Sequence, residues 1–183
     1  MWLVSSRRLI VVVLALAVAA AGGAGATGAL DGDGGGGDAE APSGAGGDVG
    51  RVVKVVDGDT IHVQVGSVRE KVRYIGIDTP ETKDPRKPVQ CFGERASQFN
   101  ERLVGGERVR LVRDVEARDR YGRLLAYVFR HRDALFVNAE LARLGYAQTL
   151  TIAPNVRYAE RFAALARAAR EDGRGLWSAC STG

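Results

Sequence analysis

Between Val52 and Ile77 apolar residues recur at the spacing of strands, and two turn signals cut the run into three. Ile61, Val63 and Val65 alternate with His62 and Gln64, a period of two that puts one face of a strand inside. Asp57-Gly58 reads as a hairpin turn back to Val52–Val56, and Gly66-Ser67 as a second turn. In Lys71–Ile77 apolar residues occupy both parities, so both faces of this third strand are expected to be covered. A meander of this kind, with a helix laid outside it, is what a barrel wall requires.

The rest of the chain completes that plan. Phe92, Ala96, Phe99 and Leu103 recur at helical spacing until Gly105-Gly106 stops them. Glu107–Arg113 and Leu124–Arg130 read as strands four and five. Phe136, Val137, Leu141 and Leu144 mark a second helix, ended by Gly145. A third runs from about Asn155 to Asp172, with Val156, Ala159, Phe162, Ala163, Ala166 and Ala169 as its apolar stripe. The expected fold class is α+β: a five-stranded OB-fold β-barrel with three helices.

This domain is expected over residues 51–180. Ahead of it, Arg7 and Arg8 precede the apolar run Leu9–Ala21, and Ala24-Gly25-Ala26 offers a small-residue cleavage site. The run is shorter than the roughly 17–25 residues of a membrane span. Residues 1–26 therefore read as a signal peptide, or as an N-terminal anchor if uncleaved. The expected location is secreted or cell-envelope, with membrane contact only through an uncleaved residue 9–21 segment. Residues 27–50, rich in Gly, Ala and Asp, have too little apolar surface to offset the entropy of ordering and read as a flexible linker.

The net charge of +4 is unevenly spread. Residues 1–50 hold two arginines against five acids, which leaves 24 basic and 17 acidic residues, a net +7, in 51–183. A basic domain suits a polyanionic partner. The two histidines and two cysteines lack zinc-ligand spacing. In an exported chain the even cysteine count favours a Cys91–Cys180 disulfide, the alternative being two reduced, buried thiols.

Three short motifs carry the chemistry. They are Asp57-Gly58-Asp59-Thr60, Arg73 through Glu81 (Arg-Tyr-Ile-Gly-Ile-Asp-Thr-Pro-Glu), and Asp119-Arg120-Tyr121-Gly122-Arg123. Phosphodiester hydrolysis needs such groups together: carboxylates for a hard cation and for water, guanidiniums for the phosphate. In order and spacing the set resembles the thermonuclease family, the staphylococcal nuclease-like domains, from about Arg51 to Trp177.

The resemblance implies a calcium-dependent endonuclease acting on DNA and RNA with little sequence preference and leaving 3′-phosphates. It maps the metal ligands onto Asp59, Asp78 and the backbone carbonyl of Thr79. Glu81 takes the place of the residue that orients or deprotonates water, and Arg73 and Arg123 those of the phosphate clamps. Tyr121, Lys83 and Lys87 would touch the substrate. One departure stands out: the family's best-known member carries two tyrosines near the nucleotide, and here Thr151 and Ala153 fall at or near those positions. The expected protein is a monomer with no stable protein partner. The alternative function is a non-catalytic nucleic-acid-binding OB-fold module, and a sugar- or peptide-binding OB domain fits the fold equally well. Asp59, Arg73, Asp78, Glu81 and Arg123 argue against both.

Overall fold

The computed structural model describes residues 47–82 and 88–180. In chain order the elements are β1 (Asp48–Val55), β2 (Thr60–Val65), β3 (Val68–Tyr74), β4 (Gly76–Asp78), α1 (Gly93–Val104), β5 (Arg108–Val112), β6 (Leu124–Arg130), α2 (Val137–Arg143), β7 (Gln148–Leu150), α3 (Ala159–Glu171) and α4 (Leu176–Ala179). Five strands close a barrel in the order β1-β2-β3-β6-β5, antiparallel except for the β3–β6 pair. This is the expected OB-fold barrel. Ile61, Val63, Val72, Val109 and Leu111 fill its interior and are fully buried.

Three boundaries differ from the sequence reading, each for a physical reason. The barrel starts at Asp48 rather than Arg51, because β1 runs on past β2 to pair with β5 (Asp48↔Leu111, Gly50↔Val109). Gly50 belongs to that strand and not to a linker. A Cβ there would lie 2.5 Å from the Gln64 carbonyl and the Val63 side chain. The apolar run Lys71–Ile77 is not one strand. It breaks at Gly76, whose φ is 83° and whose Cα lies under the Phe162 ring of α3, so near that a Cβ would sit 2.3 Å from it. Beyond the break, β4 leaves the barrel to pair with β7 (Asp78↔Gln148). The third helix begins at Ala159 instead of Asn155, and both Val156 and Ala163 are exposed. The Asn155 side chain is tied to the loop after β5 instead, accepting from the Glu116 N–H and donating to the Glu116 carbonyl. A fourth helix, α4, is a single turn that periodicity does not reveal.

Buried polar links fix the helices to the barrel. Asn138 of α2 accepts from the Val128 N–H and donates to the carbonyl of Ile75, bridging β6 to the break after β3. Asn100 of α1 accepts from the Tyr74 hydroxyl (3.0 Å) and donates to the Asp57 carbonyl (3.0 Å). The second pair couples α1 to the turn that carries Asp59. Cys91 and Cys180 form a disulfide that joins the entry of α1 to the end of α4.

Candidate active site

The site is built on the break between β3 and β4. Because the chain turns there, residues five apart in sequence converge. Arg73 places Nη2 2.7 Å from Asp78 Oδ1, while Nη1 donates to the carbonyls of Tyr74 and Ile77, both at 2.8 Å. Its Nε lies 3.2 Å from Asp59 Oδ1. Arg73 thus bridges two carboxylates from different elements, with its guanidinium plane fixed by two backbone carbonyls. Its side chain is only 11% exposed, a burial that an arginine tolerates when its donors are satisfied.

Asp59 is buried and held from both sides. Thr60 Oγ1 donates to Oδ1, and the N–H and Oγ1 of Thr79 donate to Oδ2 at 2.8 and 3.0 Å. Such bonds to a carboxylate are charge-assisted and orient it firmly. Gly58 permits the approach, since a Cβ there would meet the Thr79 side chain at 2.7 Å. The Asp-Gly-Asp turn and the start of the Thr79 loop are therefore pressed against each other.

Carboxylates outnumber cations at this point. Burial, and next the charge of Asp59, push the Asp57 carboxyl up to about 6. The Asp78 carboxyl also lies above its ordinary value. Burial is the main cause, Arg73 opposes it, and Asp59 and Glu81 add to it. Among the described residues no three Asp, Glu, His or Cys side chains converge as a ready-made metal cage. The donors offered are two carboxylates and backbone oxygen, all hard ligands, within a surplus of negative charge that one guanidinium does not balance. That chemistry fits a hard divalent cation on Asp59, Asp78 and the Thr79 carbonyl.

Glu81 stands three residues beyond Asp78 and is held through its backbone. Its N–H donates to Gln90 Oε1 (2.8 Å), and its carbonyl accepts from the Gln90 N–H (2.9 Å). One of its own carboxylate oxygens accepts from the Thr82 N–H.

Arg73 also borders a cleft of about 450 Å³, shared with Arg123, Asp119, Tyr121, Leu150 and Ile152. Asp119 organises the far wall. Its Oδ1 accepts the N–H groups of Tyr121 and Arg123, and its Oδ2 takes Arg123 Nε at 2.7 Å. Burial alone would raise the Asp119 carboxyl, but these bonds outweigh it and hold the group below its ordinary value. Gly122, at φ 75°, makes the tight turn. Tyr121 is exposed, with the guanidiniums of Arg120 and Arg123 over its ring at 4.8 and 5.5 Å.

Of the expected site residues, Asp59, Arg73, Asp78, Thr79 and Glu81 form one cluster. Arg123 and Tyr121 share the adjoining cleft through Arg73. Lys83 and Lys87 lie outside the described residues. Thr151 and Ala153 do not line the cleft; Leu150 and Ile152 do, and Ile152 is 60% exposed. Two apolar residues at strand spacing were the signal for that wall. Asp57 and Asp119, which lie in the motifs but carry no assigned role there, and Gln90, which reads as a loop residue, also belong to the candidate site.

Known proteins match most of this domain. The family model described as staphylococcal nuclease homologue matches residues 71–179. A thermonuclease of Staphylococcus hyicus is 40% identical over 128 residues, which is 70% of this chain and 75% of that protein. A thermonuclease of Staphylococcus intermedius is 46% identical over 107 residues, 58% of this chain and 62% of that protein. Endonuclease YncB of Bacillus subtilis (strain 168) is 39% identical over 127 residues, 68% of this chain and 59% of that protein. A barrel of this topology, with its motifs gathered on Arg73 and relatives this similar, places the chain in the thermonuclease family of staphylococcal nuclease-like domains.

Proposed function

We propose that this chain is an exported, calcium-dependent endonuclease that hydrolyses phosphodiester bonds of DNA and RNA and leaves 3′-phosphates. The observation that carries the reading is the bridge of Arg73 between Asp59 and Asp78 at the edge of a cleft it shares with Arg123. A binding module has no need of two acids, one of them buried, locked to one guanidinium. The nuclease names of the relatives point the same way.

Asp59, Asp78 and the Thr79 carbonyl would hold the cation, which when bound supplies positive charge to a phosphate oxygen. Arg73 and Arg123 present N–H donors to the equatorial oxygens, where charge grows as the phosphorus is attacked. Each is already oriented by a carboxylate, Arg73 by Asp59 and Asp78 and Arg123 by Asp119, so little reorganisation is needed. Glu81 accepts the proton of the attacking water or fixes its lone pair toward phosphorus. The bond from phosphorus to the 5′-oxygen breaks, the 5′-oxygen takes a proton, and the phosphate stays on the 3′ side. The cleft wall of Tyr121, Leu150 and Ile152 offers an apolar surface for a base.

Purified protein should degrade plasmid, single-stranded DNA and RNA with calcium, and stop with EGTA. End-group analysis should find 3′-phosphates. Intact nucleic acid in calcium would overturn the reading. Full activity in EGTA would remove calcium from it, and 5′-phosphate products would reverse the direction of cleavage.

A further inference from the structure

The outer face of the β1–β2–β3 sheet carries basic residues that lead away from the active site. Partners across antiparallel strands point the same way, and Thr60↔Arg73, His62↔Lys71 and Gln64↔Arg69 are in register. Their neighbours Ile61, Val63 and Val72 are fully buried, so Arg73, Lys71 and Arg69 lie on the outside of β3. They are two residues apart, which is about 6.6 Å per step and about 13 Å overall. On the next strand but one, Lys54 pairs with His62, extending the Lys71–His62 row across the sheet.

Among the described residues no acid neutralises this face beyond Arg73. The acids of these three strands are Asp48 and Glu70, and they pair elsewhere, with Arg113 and Arg118. No ion pair among the described residues engages Lys54, Arg69 or Lys71, and all three are exposed. Burial, followed by the charges of Arg69, Lys71 and Lys54, holds His62 below its ordinary value, which places those cations around one imidazole. Like charges side by side on a sheet are unfavourable. A polyanion laid across them turns that cost into attraction, and a row of cations tracking a backbone is how single strands are held on such barrels.

We propose that Lys71 and Arg69, supported by Lys54, form a phosphate track that carries the nucleic-acid strand away from the scissile phosphate at Arg73. This rests on the nuclease reading of the site. The ligand is the sugar–phosphate backbone of a single strand, gripped without regard to sequence.

The test compares wild type with Arg69→Gln/Lys71→Gln, using dT12, which reaches the track, and dT2, whose single phosphate fills the cleft alone. Arg102→Gln/Arg167→Gln, on α1 and α3, removes the same charge elsewhere. The track variant should raise KM for dT12 about 10- to 30-fold at 0.1 M salt and leave kcat and the dT2 kinetics unchanged. Anisotropy of labelled dT12 in EGTA should show the slope of log Kd against log salt falling by about 1.4, two contacts at about 0.7 each. The control variant should change neither. An unchanged dT12 affinity overturns the track, and so does an equal loss for dT2 or for the control, which would signal a diffuse field. Loss of binding to phosphatidylglycerol vesicles with dT12 unaffected would make the face a membrane site and also overturn it. Should wild type cleave nothing, the nuclease reading fails while the anisotropy arm still decides the track. Both substituted side chains are exposed, and an unchanged melting temperature confirms that the fold is intact.

Discussion

Gln90 grips the backbone of Glu81 from both sides, its Oε1 accepting from the Glu81 N–H at 2.8 Å and its own N–H donating to the Glu81 carbonyl at 2.9 Å. The residue proposed to handle water is thereby fixed by a side chain nine positions later, next to the disulfide cysteine. Gln90→Ala removes the acceptor while leaving every proposed catalytic group in place. Turnover should fall about tenfold or more, since small misplacements of a reacting group are costly, with KM little changed. In a Glu81→Gln background the same change should cost nothing further. An additive loss there would show that Gln90 does not act through Glu81.

Arg73→Lys keeps the positive charge but loses the fork that reaches Asp59, Asp78 and two carbonyls together. Turnover should drop roughly 100-fold or more, the scale of removing one transition-state donor. Arg167→Lys, on the exposed side of α3, should do little. Steady-state kinetics of the two variants, measured together, checks the assignment; equal effects would sink it.

Asp119 has a carboxyl held below its ordinary value, because Arg123 and two backbone N–H groups favour its ionised form over the cost of burial. The sign follows directly. A depressed carboxylate stabilises the fold above its unfolded value, near 3.9, and that contribution is lost as pH falls through the lower, folded value. Asp119→Asn should therefore lower the melting temperature at pH 7, and the difference from wild type should shrink below about pH 4. It should also reduce turnover by releasing Arg123. A melting-temperature gap that stays constant down to pH 3 would contradict this.

The Cys91–Cys180 bond spans 89 residues of sequence and ties the end of α4 to the entry of α1. Reduction should lower stability by about 2–5 kcal/mol, read from denaturant unfolding with and without reductant. Cys91 adjoins Gln90, so reduction should lower turnover less than Gln90→Ala does, because the Gln90 side chain and its bonds to Glu81 remain. Mass spectrometry of the non-reduced protein should find the linked peptide pair. Two free thiols would dismiss the bond.

The sequence by itself determined the strand meander, the placement of α1 and α2, and the residue types from which the candidate site is drawn. These are local matters: a period of two or 3.6, a glycine after a helix, an acid beside a glycine in a turn. Long-range contact decided the rest. Lys71–Ile77 looks continuous because its apolar content does not register Phe162 pressing on Gly76 from a helix 86 positions away. Without that break Arg73 and Asp78 would stay on one extended strand, too far apart to share a hydrogen bond. Gly50 has the composition of a linker, yet it is a barrel residue because β1 must pass close to β2 on its way to β5. Asp57, Asp119 and Gln90 have no periodicity to betray them, as their roles exist only once a partner has been brought within bonding distance. Residue type and spacing are written along the chain, whereas which charge faces which is settled by packing, and that is why the candidate residues could be named from the sequence and their geometry could not.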